Sequence, residues 1–162
     1  MKRIAATALV ALAIALAAPQ ARALGQGKAV YMGGTLTAIP DRTEGLVDLK
    51  NESALMFTPP RNARVEIPWA SISEMEYGQK AGRRIVQAVF LTPFSLFAKN
   101  RKHYVTLAWT DAAGKEQAAV LQFDKNDIRT TLAILRTRTG KEVTFQDEEA
   151  QKQMGGGVPA QK

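Results

Sequence analysis

Apolar and polar residues alternate along several short stretches of this 162-residue chain. Two such stretches follow each other, with apolar positions at Val105, Leu107, Trp109 and then at Ala119, Leu121, Phe123. A period of two places the apolar side chains on one face of a β-strand. The five residues 111–115 between the stretches include a glycine, so the pattern predicts a β-hairpin.

The same alternation, interrupted by turn residues, predicts further strands upstream. These strands cover residues 28–35, 45–50, 54–58, 64–69 and 72–77. In the fourth of them Val65, Ile67 and Trp69 share one face, while Glu66 is placed to pair with Arg64 on the other. The order of short strands and turns favours an antiparallel sheet.

One segment has helical instead of strand spacing. Ile128, Leu132 and Leu135 recur at i, i+4 and i+7 and would share one helix face. Asp124 or Asn126 is placed to cap the start of this helix, and Gly140 is placed to end it. A short extended piece at 141–145 follows. Because a curved sheet leaves an open end, the helix is expected to cover it, in a mainly β (α+β) roll.

The N-terminus has the three parts of a secretory signal peptide. Lys2 and Arg3 precede an apolar run at 4–18, and a small-residue site ends at Ala23. Fifteen helical residues span about 22 Å, less than the ~30 Å core of a bilayer. We therefore expect a signal peptide at 1–23, cleaved after Ala23, and a periplasmic or secreted protein. The folded domain is then expected at 24–145, with a disordered tail at 146–162.

Composition excludes several kinds of site. The chain has no cysteine and a single histidine, so disulfides, thiolate centres and histidine clusters for a metal are absent, and no cofactor is expected. The formal net charge is +7, and it falls to +4 (19 basic and 15 acidic residues) without residues 1–23. Export and this modest charge argue against a nucleic-acid partner.

Several of these segments together carry a family resemblance. They are the strand through Trp69, the strand 72–77, the basic run 99–102 before the His103 strand, the Gly114 hairpin and the helix 127–139. In this arrangement residues 63–143 resemble the pleckstrin-homology-like (PH-like, GRAM-like) domains of bacteria. The resemblance implies a bent antiparallel barrel of about seven strands, capped by the C-terminal helix. It also implies binding of lipid headgroups, peptides or partner proteins, since few such domains are enzymes.

One departure from that family concerns phosphoinositide binding. The domains that bind these lipids carry spaced basic residues on the first two strands and their loop. Here that region has Lys28 followed by Asp41, Arg42 and Glu44, which is mixed in sign. A phosphoinositide site is therefore not expected.

Residues 80–102 form an insertion of different character. Ten of the 14 residues at 85–98 are apolar, and no acidic residue occurs between Glu76 and Asp111. The candidate membrane- or partner-binding residues are Lys80, Arg83, Arg84, Phe90, Phe94, Phe97, Lys99, Arg101 and Lys102. Three alternatives stay open: a helical insertion packed in the core, an interfacial anchor in anionic lipid, and a protein contact such as a homo-oligomer interface.

Candidate catalytic groups are few. Glu74 and Glu76 lie two residues apart on one strand face, where paired carboxylates are usually solvent-facing. His103 is expected to be a solvated strand-end residue, with protonation disfavoured by Lys102. We therefore expect no enzyme, but a noncatalytic exported module that binds or scaffolds a protein or peptide partner in the bacterial envelope. The alternatives are a peripheral membrane protein inserting 85–98, and an unrecognised hydrolase using Glu74, Glu76 or His103.

Overall fold

The computed structural model describes residues 25–79 and 102–154. Within these ranges eight strands form one sheet in the order β4-β3-β2-β1-β7-β6-β5-β8. The strands are β1 Gln26–Gly34, β2 Thr43–Asp48, β3 Ala54–Thr58, β4 Val65–Pro68, β5 Ile72–Gly78, β6 His103–Thr110, β7 Glu116–Phe123 and β8 Thr144–Phe145. A 3-10 turn at Trp69–Ser71 and two helices, α1 Ile128–Thr139 and α2 Glu148–Gln153, complete the described elements.

Neighbouring strands are antiparallel, except that β8 runs parallel to β5. Strands β4 and β5 stand six positions apart in the sheet order, about 29 Å if the sheet were flat. Yet only Trp69–Ser71 joins them, and four peptide units reach about 14 Å at most. The sheet must therefore curl until its two sides approach each other, which is the bent roll expected from the sequence.

The turn between β4 and β5 is fixed by a tryptophan. Trp69 is 4% exposed and belongs to the core cluster. Its indole Nε1 donates a hydrogen bond to the carbonyl of Asn51 at 2.9 Å, and its backbone nitrogen donates to the carbonyl of Ser53 at 3.0 Å. Trp69 thus connects the turn between β4 and β5 to the loop between β2 and β3.

Helix α1 packs on the open end of this roll. Its apolar face, Ile128, Leu132 and Leu135, is buried in the same core cluster as Trp69 and Met75. Gly140 ends the helix in the left-handed conformation at φ 67°, with its nitrogen donating to the carbonyl of Arg136. The helix face and its glycine stop are as the sequence predicts.

The start of α1 differs from the prediction. Asp127 occupies the N-cap position, and its side chain makes no capping hydrogen bond. Asp124 instead organises the preceding turn: its Oδ1 accepts from the Asn126 nitrogen at 2.9 Å. Its carbonyl accepts from the nitrogens of Asp127 and Ile128 at 3.2 Å. The predicted cap residue therefore stabilises the turn that leads into the helix.

The strands β5, β6 and β7 are shielded on both faces. Val105 and Leu107 belong to the inner core, at 0% exposure. On the opposite face Thr106 is 1% exposed, and the residue across from it on β7, Val120, is 0% exposed. A clean division into one apolar and one solvated face is therefore absent from this half of the sheet.

The fold-class prediction is confirmed: the described chain is mainly β, with a sheet of antiparallel strands and a C-terminal helix over its end. The described sheet has eight strands, against the roll of about seven that the resemblance implies, and β8 contributes only two residues.

Order continues further along the chain than the sequence predicts. The expected disordered tail begins with helix α2, whose Asp147 side chain accepts a capping bond from the Ala150 nitrogen at 2.8 Å. Ala150 is fully buried, because this small side chain packs into the core cluster that also contains Val143. Disorder is thus the wrong prediction for 147–154.

Other predicted segments fall outside the described residues. These are the signal peptide at 1–23, the insertion at 80–101 and the end of the tail at 155–162.

Candidate functional site: a charged groove across four strands

A groove of about 420 Å³ crosses the ends of β2, β1, β7 and β6. We call it the four-strand groove. Its floor includes Val30 of β1 and Gln122 of β7, both half-buried. Its ionisable groups are Lys28, Glu44, Lys102, His103, Asp124 and Lys125. The volume lies within the ~300–1,000 Å³ typical of ligand sites.

The register of the strands fixes the order of these groups. Val30 lies opposite Glu44 of β2 on one side and opposite Gln122 of β7 on the other. Phe123 of β7 lies opposite His103, the first residue of β6. An acidic side chain therefore stands at the β2 side of the groove, and Lys102 with His103 stands at the β6 side.

The turn after β7 lines the groove on the β7 side. Asp124 and Lys125 belong to this turn, which is held by the hydrogen bond from the Asn126 nitrogen to the Asp124 carboxylate. The carboxylate of Asp124 thus has a backbone partner. The three lysine ammonium groups, in contrast, form no salt bridge with any carboxylate of residues 25–79 or 102–154.

His103 links the groove to the core. Its Nδ1 lies 2.7 Å from the hydroxyl of Tyr77, which is fully buried, and the two rings stack with centroids 6.1 Å apart. Burial, together with Asp147, raises the pKa of Tyr77 to about 12, so this hydroxyl keeps its proton at neutral pH. When Tyr77 donates to Nδ1, the proton of the neutral imidazole resides on Nε2.

The imidazole itself favours its neutral form. Burial lowers the pKa of His103 below its usual 6.5, and the nearby ammonium of Lys125 lowers it further, against an opposing effect of Asp124. The direction agrees with the sequence expectation, but the cause differs, because burial and Lys125 act in place of Lys102. His103 begins β6 as predicted, but it is half-buried and hydrogen-bonded, so the expectation of a solvated side chain is wrong.

This pKa shift has a defined effect on stability. The unfolded chain binds a proton at His103 near pH 6.5, whereas the folded chain binds it only at lower pH. The unfolded state therefore holds more protons in between, and stability rises with pH there. The stabilisation is complete above about pH 6.5 and is lost as the pH falls through the folded-state pKa.

Of the predicted membrane- or partner-binding residues, one lies at the groove. Lys102 is exposed and lines it at the β6 side. The remaining eight lie outside the described residues: Lys80, Arg83, Arg84, Phe90, Phe94, Phe97, Lys99 and Arg101. The three alternatives for residues 85–98 thus stay predictions.

The candidate catalytic groups do not converge. Glu76 lies opposite Thr106 and Glu74 opposite Ala108, so both carboxylates project from the outer face of the sheet. His103 alternates with Tyr104 and contacts the buried Tyr77, on the inner face. Glu74 is exposed, but Glu76 is only 3% exposed, since this part of the sheet is shielded on both faces. The expectation of two solvent-facing carboxylates is therefore wrong for Glu76.

The predicted pairing of Arg64 with Glu66 is present as an exposed salt bridge of 3.9 Å. The described residues contain no group of three or more His, Asp or Glu side chains suited to a metal ion. None of the described helices combines the length and the hydropathy needed to cross a membrane.

Sequence reasoning missed most of the groove. In the sequence, Lys28 and Glu44 bear only on the question of a phosphoinositide site, and no local pattern marks Lys125. They are separated by up to 97 positions in the chain and meet because β1 pairs with both β2 and β7. The one local signal is the turn Asp124–Asn126 between a strand and a helix, which favours exposed polar groups at a sheet edge.

Comparison with known proteins finds a similar solved structure but no matching family. No protein-family model matches the chain, and none of the curated proteins matches it significantly. Among solved structures, the chain is similar to one described as the structure of the Spt16D Pob3N heterodimer, with 10% identity and a TM-score of 0.42. The match covers 74% of this chain and 54% of that one, so the chain spans about half the length of that neighbour.

Proposed function

We propose that this chain is a noncatalytic, exported binding module of the bacterial envelope, which recognises a protein or peptide partner through the four-strand groove. The observation that carries the proposal is the groove itself, where Lys28, Lys102 and Lys125 line a cleft of ligand size. These lysines have no carboxylate partner among the described residues, so a ligand would not have to displace one.

The arrangement of the candidate catalytic groups supports binding over hydrolysis. Catalytic groups that act together as general acid and base must lie within hydrogen-bond reach of the same bound substrate. Glu74 and Glu76 stand on the opposite face of the sheet from His103. The Tyr77 hydroxyl is hydrogen-bonded to Nδ1 of the imidazole, and this bond gives His103 a structural contact at the groove wall.

The proposal that the chain is exported rests on the sequence of residues 1–23 alone. Basic residues, an apolar run and a small-residue site follow one another in the order of a secretory signal. Mass spectrometry of the protein recovered from the periplasm or medium tests this part directly. A chain beginning at Leu24 is expected, and an unprocessed chain in the cytosol would contradict export.

The binding role is tested by site-specific photo-cross-linking in the envelope of the producing bacterium. A photoreactive residue replaces Gln122 in the groove or, as the matched control, Glu116 on the same face of β7. These positions are six residues and about 20 Å apart. We expect a discrete adduct at 122 that Lys125→Glu reduces, and none at 116. Equal adducts at both positions, or none at 122, would refute the groove as the binding site.

A further inference from the structure

The four-strand groove is not uniform along its length. Glu44 stands at the β2 side, whereas Lys102 and Lys125 stand with His103 at the β6 and β7 side. The ammonium of Lys125 is close enough to His103 to act on its charge state. The β6 and β7 end thus carries two cations against the Asp124 carboxylate, whose Oδ1 already accepts a backbone hydrogen bond, while Glu44 and Lys28 offset each other at the other end.

The β2 side has a second distinctive feature. Among residues 25–79 and 102–154, Leu46 is the exposed large apolar side chain, at 59% exposure. It lies opposite Lys28 of β1 and two residues from Glu44, so all three share the outer face of these strands. An apolar contact point therefore borders the end of the groove that carries Glu44 and Lys28.

From this placement we infer that the groove takes an extended acidic peptide segment in a fixed orientation. Its carboxylates lie at Lys102 and Lys125, and an apolar side chain packs on Leu46. The inference rests on the proposed binding function and adds the chemistry of the partner. The excess of positive charge at the β6 and β7 end favours this orientation, because Glu44 offsets the charge of Lys28 at the β2 end and makes that end less attractive to the peptide carboxylates.

The length of the segment follows from the strand spacing. Strands β2 and β6 are separated by three spacings, about 14 Å in total. An extended peptide advances about 3.4 Å per residue, so about four residues separate its apolar contact from its acidic end. The peptide crosses the strands, with its side chains and not its backbone supplying most contacts.

Fluorescence anisotropy on the purified protein tests this inference. One labelled peptide has a leucine, two serines and two glutamates in that order, and its control has glutamines in place of the glutamates. We expect the glutamine peptide to bind about tenfold more weakly, since each exposed charge pair contributes up to ~1 kcal/mol. Leu46→Ser should weaken the glutamate peptide several-fold.

A matched pair of charge reversals separates local contacts from net charge. Lys125→Glu changes the groove, whereas Lys115→Glu makes the same change in the exposed β6–β7 hairpin loop. The first should weaken the glutamate peptide about tenfold and the second less than twofold. Glu44→Gln, in contrast, should leave its affinity unchanged or raise it.

Three results would overturn the inference. Equal binding of both peptides would remove the acidic preference, while leaving the groove as a binding site and the proposed function intact. Binding of phosphatidylglycerol vesicles without binding of the glutamate peptide would assign the cations to a membrane surface. No binding of the glutamate peptide up to about millimolar concentration would also refute it, and cross-linking at position 122 would then decide the proposed function separately.

Discussion

Truncation of Leu135 tests the role of α1 as the cover of the sheet. This side chain is fully buried and is the C-terminal member of the apolar helix face. Leu135→Ala removes three carbons, which corresponds to about 2.4 kcal/mol at ~0.8 kcal/mol per buried methylene. The cavity left behind adds to this, because the surrounding sheet relaxes only in part. We expect a total loss of about 3–4 kcal/mol in the free energy of unfolding.

Urea denaturation followed by tryptophan fluorescence is a suitable assay, since Trp69 and Trp109 are both 4% exposed and report on the core. With an m-value of about 1.5 kcal/mol/M, the midpoint should fall by about 2 M. Thr137→Ala, on the exposed side of the same helix, is the matched control and should change stability by less than about 0.5 kcal/mol. A loss below about 1 kcal/mol for Leu135→Ala, or equal losses for both variants, would refute the packing of α1 on the sheet.

Three further predictions concern backbone fit and charge. Gly45→Ala should cost about 1–3 kcal/mol, because its new Cβ would lie 2.6 Å from the Phe57 ring, whereas Gly27→Ala meets no atom closer than 3.4 Å and should be tolerated; thermal denaturation distinguishes them. As the pH rises from below toward about 6.5, the free energy of unfolding should increase, and His103→Asn should flatten that increase; an unchanged slope would contradict the burial of a neutral imidazole. Gly140→Ala should cost about 1 kcal/mol, since φ is 67° there and no atom lies within 4 Å to clash; no loss in urea titration would argue against the left-handed helix end.

The fold was largely predictable because its signals are local. Alternation at Val105, Leu107 and Trp109 marks a strand within a few residues, and the spacing of Ile128, Leu132 and Leu135 marks a helix. The burial of Thr106 and Glu76 was not predictable in this way. In a strand with alternating apolar and polar residues, the polar side chains are predicted to face solvent. Whether the second face of the sheet is covered depends on tertiary packing.

The tail shows a different limit of sequence reasoning. Residues 148–153 have no apolar periodicity, yet Asp147 caps a helix there and Ala150 reaches the core. Ala150 anchors this short helix together with Met154, which is partly buried against the same cluster. This cluster is formed by distant residues and leaves no trace in the local sequence.

The groove was the least predictable feature. Lys28, Glu44 and Lys125 gain a common position only through the pairing of β1 with β2 and β7. The segment 80–102, in contrast, is conspicuous in the sequence because its apolar and basic runs are contiguous. Of the residues selected there, Lys102 is the one that lines the groove.

Mapping of amide chemical shifts by nuclear magnetic resonance, during titration with the glutamate peptide, tests the central claim most directly. The claim is that a partner segment occupies the four-strand groove. It predicts the largest perturbations at Val30, Gln122 and Lys125, and none at Glu116 and its neighbours in the β6–β7 hairpin. Perturbations concentrated in that hairpin, or spread evenly over the sheet, would contradict it.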